Sequence, residues 1–278
     1  MRLRDGRVVR FPAVMGVLNV TPDSFSDGGR YLEPERAVEH ALEMEAAGAD
    51  IIDIGGESTR PAGAHEVPVE VELARIAPIL ERLAGRLRVP LSIDTRKAAV
   101  ARVAIGAGAT IVNDVSAFEA DPEMAAVVAR SRCAAVLMHM RGGPADHMKF
   151  ADYEDVVAEV VRYLAARIRF ARRAGVAASR IIVDPGIGFA KTADHNLQIL
   201  SSLQRICALG YPVLVGASRK GFIRKICGAD AAQIEFGTAA ANALALAAGA
   251  SIIRVHEPAA AVAVARITAA VAAARDRT

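Results

Sequence analysis

The residues that could do chemistry in this chain stand at the ends of short apolar runs. In order they are Asn19, then Asp53 to Arg60, Asp94, Asn113 with Asp114, His139, Asp184, Ser218-Arg219-Lys220, and Arg254 with His256. Each is costly to bury without a partner. Eight run ends that are all polar point to one shared binding face. Asp94, Asn113 and Asp184 combine carboxylate acceptors with an amide that both donates and accepts. Such a set suits a flat heterocycle carrying several N–H groups. Met138 and Phe189 would supply apolar faces beside it.

A second group of residues points to an anion. The stretches 21–29 and 55–64 are rich in Gly, Pro and small hydroxyls, and Arg60 lies within the second. Their backbone donors can approach a negative group closely, and an Arg fork matches phosphate oxygens. The segment Gly216-Ala217-Ser218-Arg219-Lys220-Gly221 leads into a helix with a hydroxyl and two cations, a further anion-binding arrangement. Lys220 could also form a Schiff base on chemistry alone. Arg254 and His256 alternate on one run and so point the same way. No His or carboxylate spacing matches a dedicated zinc site, so a divalent cation would be Mg²⁺ carried on phosphates.

These residues need a scaffold that brings eight run ends together. The strand candidates are 14–19, 50–54, 90–94, 110–113, 134–139, 181–184, 212–216 and 251–255. Helical periods lie between them. Val157, Val160, Val161, Leu164 and Ile168 fall on one face of 152–175, and 33–47 has Pro34 in its first turn and Gly48 at its stop. Three segments, Ala47–Ile52, Ala107–Val112 and Ala248–Ile253, repeat one pattern of a helix ending at Gly followed at once by an apolar strand. Eight such units predict a single (β/α)₈ TIM barrel over the whole chain, 1–278, with its core at about 13–272. A doubly wound sheet is the alternative, but no G-x-G-x-x-G follows the first strand.

Composition excludes several classes. The 278 residues are 53% hydrophobic and 23% charged, which fits a globular α/β protein and not a disordered or coiled-coil one. Twenty-nine Arg, five Lys and 31 acidic residues leave a net charge of +3, dispersed without a like-charge run. With eight Phe, four Tyr and no Trp, nucleic-acid binding is not expected. No leader and no run apolar enough to span a bilayer is expected. Cys133, Cys207 and Cys227 form no C-x-x-C and read as buried hydrophobes in a reducing, cytoplasmic setting.

The segments GVLNVTPDSFSDGG (16–29), DIGGESTRP (53–61), SIDTRK (92–97), IVND (111–114), LMHM (137–140), DPGIGFAK (184–191), GASRKGF (216–222) and IIRVHE (252–257) together resemble the dihydropteroate synthase family over about 13–272. The resemblance implies a TIM-barrel homodimer. It implies condensation of 6-hydroxymethyl-7,8-dihydropterin pyrophosphate with p-aminobenzoate, assisted by Mg²⁺ and inhibited by sulfonamides. By motif, Asp94, Asp184 and Lys220 would be catalytic, and with Asn113, Met138, Phe189 and Gly216 they would line the pterin pocket. Asn19, Arg60, Arg254 and His256 would take the pyrophosphate, with Asn19 on the metal. Phe25, Thr59, Arg60, Pro61, Phe189 and Ser218 would face p-aminobenzoate. Loss of pyrophosphate would leave a cation that the pterin ring delocalises and Asp94 and Asp184 stabilise, so no Schiff base on Lys220 is needed. Three positions depart from the family pattern. STRPAGA carries one residue more than STRPGA, on the side where sulfonamides compete; Ala190 replaces a Gly; and Ile234 replaces an Arg, a change expected at a helix or dimer surface. A pterin-binding methyltransferase domain would not need the SRK and RVH segments. A non-catalytic paralogue and a sulfonamide-insensitive variant remain as alternatives.

Overall fold

In a computed structural model, residues 1–20, 33–57, 67–143 and 146–275 are described. Eight strands form one parallel sheet: β1 (Ala13–Asn19), β2 (Ile51–Gly55), β3 (Leu91–Asp94), β4 (Ile111–Asp114), β5 (Ala134–Met138), β6 (Ile181–Asp184), β7 (Leu214–Val215) and β8 (Ile252–Val255). Their order is β6-β5-β4-β3-β2-β1-β8-β7. The two ends of that order meet where Val183 bridges Val213 in parallel, with the Val183 N–H donating to the Pro212 carbonyl at 2.9 Å. The sheet is thereby rolled into the expected barrel. Continuous apolar runs are what a sheet covered on both faces requires, and β2 to β6 are buried at every residue.

Alternation along the strands sorts the core into two layers. Met15, Ile51, Ile111, Ala134, Val136, Ile182, Leu214 and Ile252 fill the lower barrel interior. Their neighbours Val14, Ile52, Val112, Ala135 and Ile253 face outward into the layer shared with the helices. Leu3 and Val9 join the interior cluster from an N-terminal hairpin in which Arg2 bridges Val8, so the barrel is plugged at the strands' N-terminal end.

The helices are α1 (Glu33–Ala46), α2 (Val69–Leu83), α3 (Ala98–Gly106), α4 (Met124–Ser131), α5 (Val156–Arg173), α6 (Ala193–Ser201), α7 (Gln204–Cys207), α8 (Gly221–Cys227), α9 (Ala231–Ala247) and α10 (Pro258–Arg275). The Asp155 side chain caps α5 by accepting from the Ala158 N–H at 2.9 Å, and Val157, Val160, Leu164 and Ile168 are buried as their spacing predicts. By length and composition α10 could cross a membrane, but in this fold it packs along α9 and β1. Ile234, expected at a surface, is instead buried in the helical layer. Cys133 is buried as expected, whereas Cys207 and Cys227 are only half-buried; all three are free.

Gly48 and Gly108 end their helices at φ of +97° and +108°, a region L side chains avoid. They differ in surroundings. A Cβ at Gly48 would lie 3.2 Å from Val262 Cγ2, while one at Gly108 meets nothing within 4 Å. Gly108→Ala is therefore expected to cost about 1 kcal/mol from backbone strain alone, and Gly48→Ala measurably more. Urea denaturation of the two variants checks this, and equal costs would remove the Val262 contact from the account.

Candidate active site

The polar residues singled out by sequence lie two positions beyond the interior apolar ones. Asp53 follows Ile51, Asn113 follows Ile111, Met138 follows Val136, Asp184 follows Ile182, Gly216 follows Leu214 and Arg254 follows Ile252. With a side-chain period of two, the layer above the apolar plug is built from these residues.

The floor of this layer is an ionic cluster centred on Arg254. Its Nε donates to Asp53 Oδ2 at 2.7 Å and its Nη2 to Asp94 Oδ2 at 2.7 Å. Asn113 Nδ2 donates to the same Asp53 oxygen at 2.9 Å, which fixes the face its amide oxygen presents. Asp53 is fully buried, and its Oδ1 has no partner among the described residues. Burial pushes the Asp94 carboxyl up to about 7; Arg254 opposes this, and Asp53, Glu72 and Asp114 reinforce it. Burial pushes Asp184 up to about 6, opposed by the Gly186 N–H, which donates to its Oδ1 at 2.6 Å, and by Lys220 and Arg254. Partial burial disfavours the charged form of Arg254, yet Asp53 and Asp94 raise its affinity for its proton, so the guanidinium stays charged.

The wall is apolar and capped by a cation. Val115, Met138, Met140 and Phe189 form a separate buried cluster. Lys220 Nζ sits 4.0 Å above the centre of the Phe189 ring, a cation–π contact. The lysine stem runs against Gly188, where a Cβ would lie 2.8 Å from Lys220 Cδ. The loop delivering Phe189 is tightly wound, with Gly186, Gly188 and Ala190 at φ of +69°, +81° and +49°.

On the opposite side, Ser218 Oγ and His256 Nδ1 lie 3.0 Å apart, and the His256 N–H also reaches Ser218 Oγ at 3.3 Å. Gly216 keeps the backbone close to Arg254, 3.8 Å from an added Cβ to its Cβ. Asn19 ends β1 half-buried, in register with Gly55. Arg219, read from sequence as one of two cations at an anion site, is turned away. It pairs with Glu235 at 2.5 Å and Glu257 at 3.0 Å, and its N–H donates to Thr238 Oγ1 at 3.2 Å. Phe25, Thr59, Arg60 and Pro61 lie outside the described residues. The chain leading into the second of those segments is anchored by Glu57, which pairs with Arg96 at 2.7 Å and with Lys97; Lys97 also reaches Glu72 at 2.6 Å.

Two residues of the polar set face outward. Asp114 accepts from the backbone N–H groups of Ser116 and Phe118 at 2.8 and 2.9 Å, shaping its own loop. His139 packs edge-on to Tyr163 of α5, with ring centres 4.8 Å apart. Sequence reasoning passed over Asp53 as the residue that orients Arg254 and Asn113, although it occupies the same alternating position as the others. It also passed over Lys191 and His147, which lie in loops and follow no strand period.

A polar floor with two carboxylates and an amide, an aromatic wall and a cationic rim can hold a flat N–H-rich ring and an anionic leaving group. Comparisons with known proteins agree. The family model for pterin binding enzymes matches residues 15–256, so the chain belongs to that family. The dihydropteroate synthase of Mycobacterium leprae is 51% identical over 251 residues, covering 88% of each chain. A Xanthomonas albilineans dihydropteroate synthase with 4-aminobenzoic acid has a TM-score of 0.91 at 47% identity over 98% of each chain. The Xanthomonas albilineans enzyme in complex with 7,8-dihydropteroate has a TM-score of 0.88 at 44% identity, covering 98% of this chain and 99% of that one. Within the pterin binding enzymes, the chain belongs with the dihydropteroate synthases.

Ala190 is held left-handed and buried, its N–H donating to His147 Nδ1 at 2.8 Å. Left-handed alanine costs about 1–2 kcal/mol, while glycine loses about 0.4–1 kcal/mol through the unfolded chain. Ala190→Gly is therefore expected to stabilise by about 0 to 1.6 kcal/mol, read from chemical denaturation. A clear loss of stability would contradict the strained backbone.

Proposed function

We propose that this transferase condenses 6-hydroxymethyl-7,8-dihydropterin pyrophosphate with p-aminobenzoate, giving 7,8-dihydropteroate and pyrophosphate. The observation that carries the reading is the buried Asp53–Arg254–Asp94 cluster beneath Lys220 and Phe189. Asp94, Asn113 and Asp184 would take the pterin N–H groups, with Met138, Phe189 and Gly216 along the ring and Lys220 at its edge. The methylene C–O bond breaks, and pyrophosphate leaves with the bonding electrons. The resulting cation is delocalised into the ring and stabilised by the ionised Asp94 and Asp184 in a water-poor site. The p-aminobenzoate nitrogen then forms the C–N bond and gives its proton to solvent. Phe25, Thr59, Arg60, Pro61, Ser218 and Phe189 would position that amine.

Arg60, Arg254 and His256 would hold the leaving pyrophosphate. Among the described residues no three His, Cys, Asp or Glu side chains gather as a metal cage. Mg²⁺ suits this arrangement, because it binds through one or two protein oxygens, waters and substrate phosphates. Asn19, half-buried at the strand end, would supply an amide oxygen to it. When bound, the ion would neutralise charge on the leaving group. We place the chain in a reducing cytoplasm, in keeping with its three free thiols.

The reading is tested by pyrophosphate release from purified protein given the dihydropterin pyrophosphate and Mg²⁺. Release dependent on p-aminobenzoate, with dihydropteroate formed and sulfonamide inhibition, is expected; bound pterin without release would overturn it. Asp94→Asn is expected to lower kcat by about 100-fold or more, the scale of losing one buried charge-stabilising group. Because Asp94 and Asp184 titrate near 7 and 6, kcat/KM should fall as pH drops through that window and their carboxylates are protonated. A profile flat from pH 5 to 8 would remove the ionised carboxylates from the mechanism.

We propose also that the chain pairs through the face carrying Ile226 on α8, Phe236 and Leu244 on α9, and Ile267 and Val271 on α10, all exposed large apolar side chains. These helices pack side by side, and several large apolar side chains left exposed on them suit a protein contact. Light scattering should give twice 29.2 kDa and fall to the monomer for Phe236→Glu with Leu244→Glu; a wild-type monomer would exclude the pairing.

A further inference from the structure

We propose that Lys191 is a positioning residue that acts from outside the barrel wall, by holding the main chain of Phe189 against the end of β5. Its side chain is almost completely buried. Nζ donates to the Phe189 carbonyl at 2.9 Å, lies 2.9 Å from His139 Nδ1, and approaches the His139 carbonyl at 3.5 Å. The amine therefore joins three groups on two chain segments, the outward-facing end of β5 and the loop after β6. No other side chain among the described residues donates to the Phe189 carbonyl.

The loop is fastened at several points around that ring, and Lys191 supplies the one at the Phe189 carbonyl. Gly186 passes so close to β5 that a Cβ there would lie 2.0 Å from the His139 carbonyl oxygen. Phe189 N–H turns back to the Gly186 carbonyl at 3.1 Å, Gly188 N–H donates to Asn196 Oδ1 at 2.8 Å, and Ala190 N–H donates to His147. These three donors of the loop are taken by its own chain or by neighbouring elements, and Lys191 takes the Phe189 carbonyl between them. Phe189 in turn carries the Lys220 ammonium on its face. The line of contact thus runs from a buried amine on the helical side to a cation inside the site. Burial lowers Lys191 to about 7 against the pull of Asp184, and burial with the neighbouring Lys191 lowers His139 to about 2, so the imidazole is neutral beside the amine.

Lys191→Met removes the donor and leaves the Phe189 carbonyl buried and unpaired. This inference rests on the placement of Phe189 in the site, so the test is a double-mutant cycle with Phe189→Ala, read as kcat/KM for dihydropteroate formation. Residues that act through one another are non-additive. Lys191→Met is expected to lower kcat/KM about tenfold in the wild-type background and less than about twofold in the Phe189→Ala background. A merely structural lysine would give the same factor in both, and that result overturns the inference. Impaired Phe189→Ala with unimpaired Lys191→Met overturns the inference alone; unimpaired Phe189→Ala overturns the site placement and the inference with it. Should Lys191→Met not fold, Lys191→Leu, which also lacks a donor, carries the same cycle and is judged by the same factors. The chain has no Trp, so Phe189→Trp adds a single fluorophore. Lys191→Met in that background is expected to red-shift its emission and raise its quenching by acrylamide, and an unchanged spectrum counts against the inference.

Discussion

The structure depends on one guanidinium. Arg254 enters from β8 and holds Asp53 of β2 and Asp94 of β3 across the barrel interior. Without it two buried carboxylates would face one another in a space that disfavours even one charge. With it they become a fixed floor, and Asn113 is oriented by sharing the Asp53 oxygen. The cluster does not obviously favour stability, since taking three charges out of water is expensive. Its value lies in presenting a preorganised polar surface to a ring, at an ionisation poised close to neutrality.

That floor explains why the scaffold is a closed barrel. The groups come from β2, β3, β4 and β8, and rolling the sheet turns their inward-facing side chains toward one centre; the Val183–Val213 bridge completes the roll. The plug of Met15, Ile51, Ile111, Val136, Ile182 and Ile252 sits one layer below and keeps the strand ends at fixed spacing. Function and packing are thereby separated by two residues along each strand.

This two-residue separation is also why so much could be read from the sequence. Apolar runs of four to six residues located the strands, and polar residues at their ends pointed to the site. Asp94, Asn113, Asp184 and Arg254 all fell into place by that logic. What the pattern could not supply was parity. Asp114 and His139 end strands like the others, yet face the helices, and a run of buried residues on both faces carries no alternation to reveal it. Arg219 was misread for a different reason. Its turn places it left-handed, at φ +57°, and swings its side chain to Glu235 and Glu257. A tripeptide of Ser, Arg and Lys shows no sign of that twist. Lys191 and His147 were hidden because loop residues find partners by proximity that only the folded chain creates.

The N-terminal hairpin has a consequence for traffic. Leu3 and Val9 close the barrel below the apolar plug, and Arg4 ties the hairpin down by donating to the Ile105 carbonyl at 2.6 Å. The interior is thus a vessel with one mouth. Whatever rests on Asp94, Asn113 and Asp184 would lie at its bottom. Entry and exit then share one doorway, the end built from the polar strand termini.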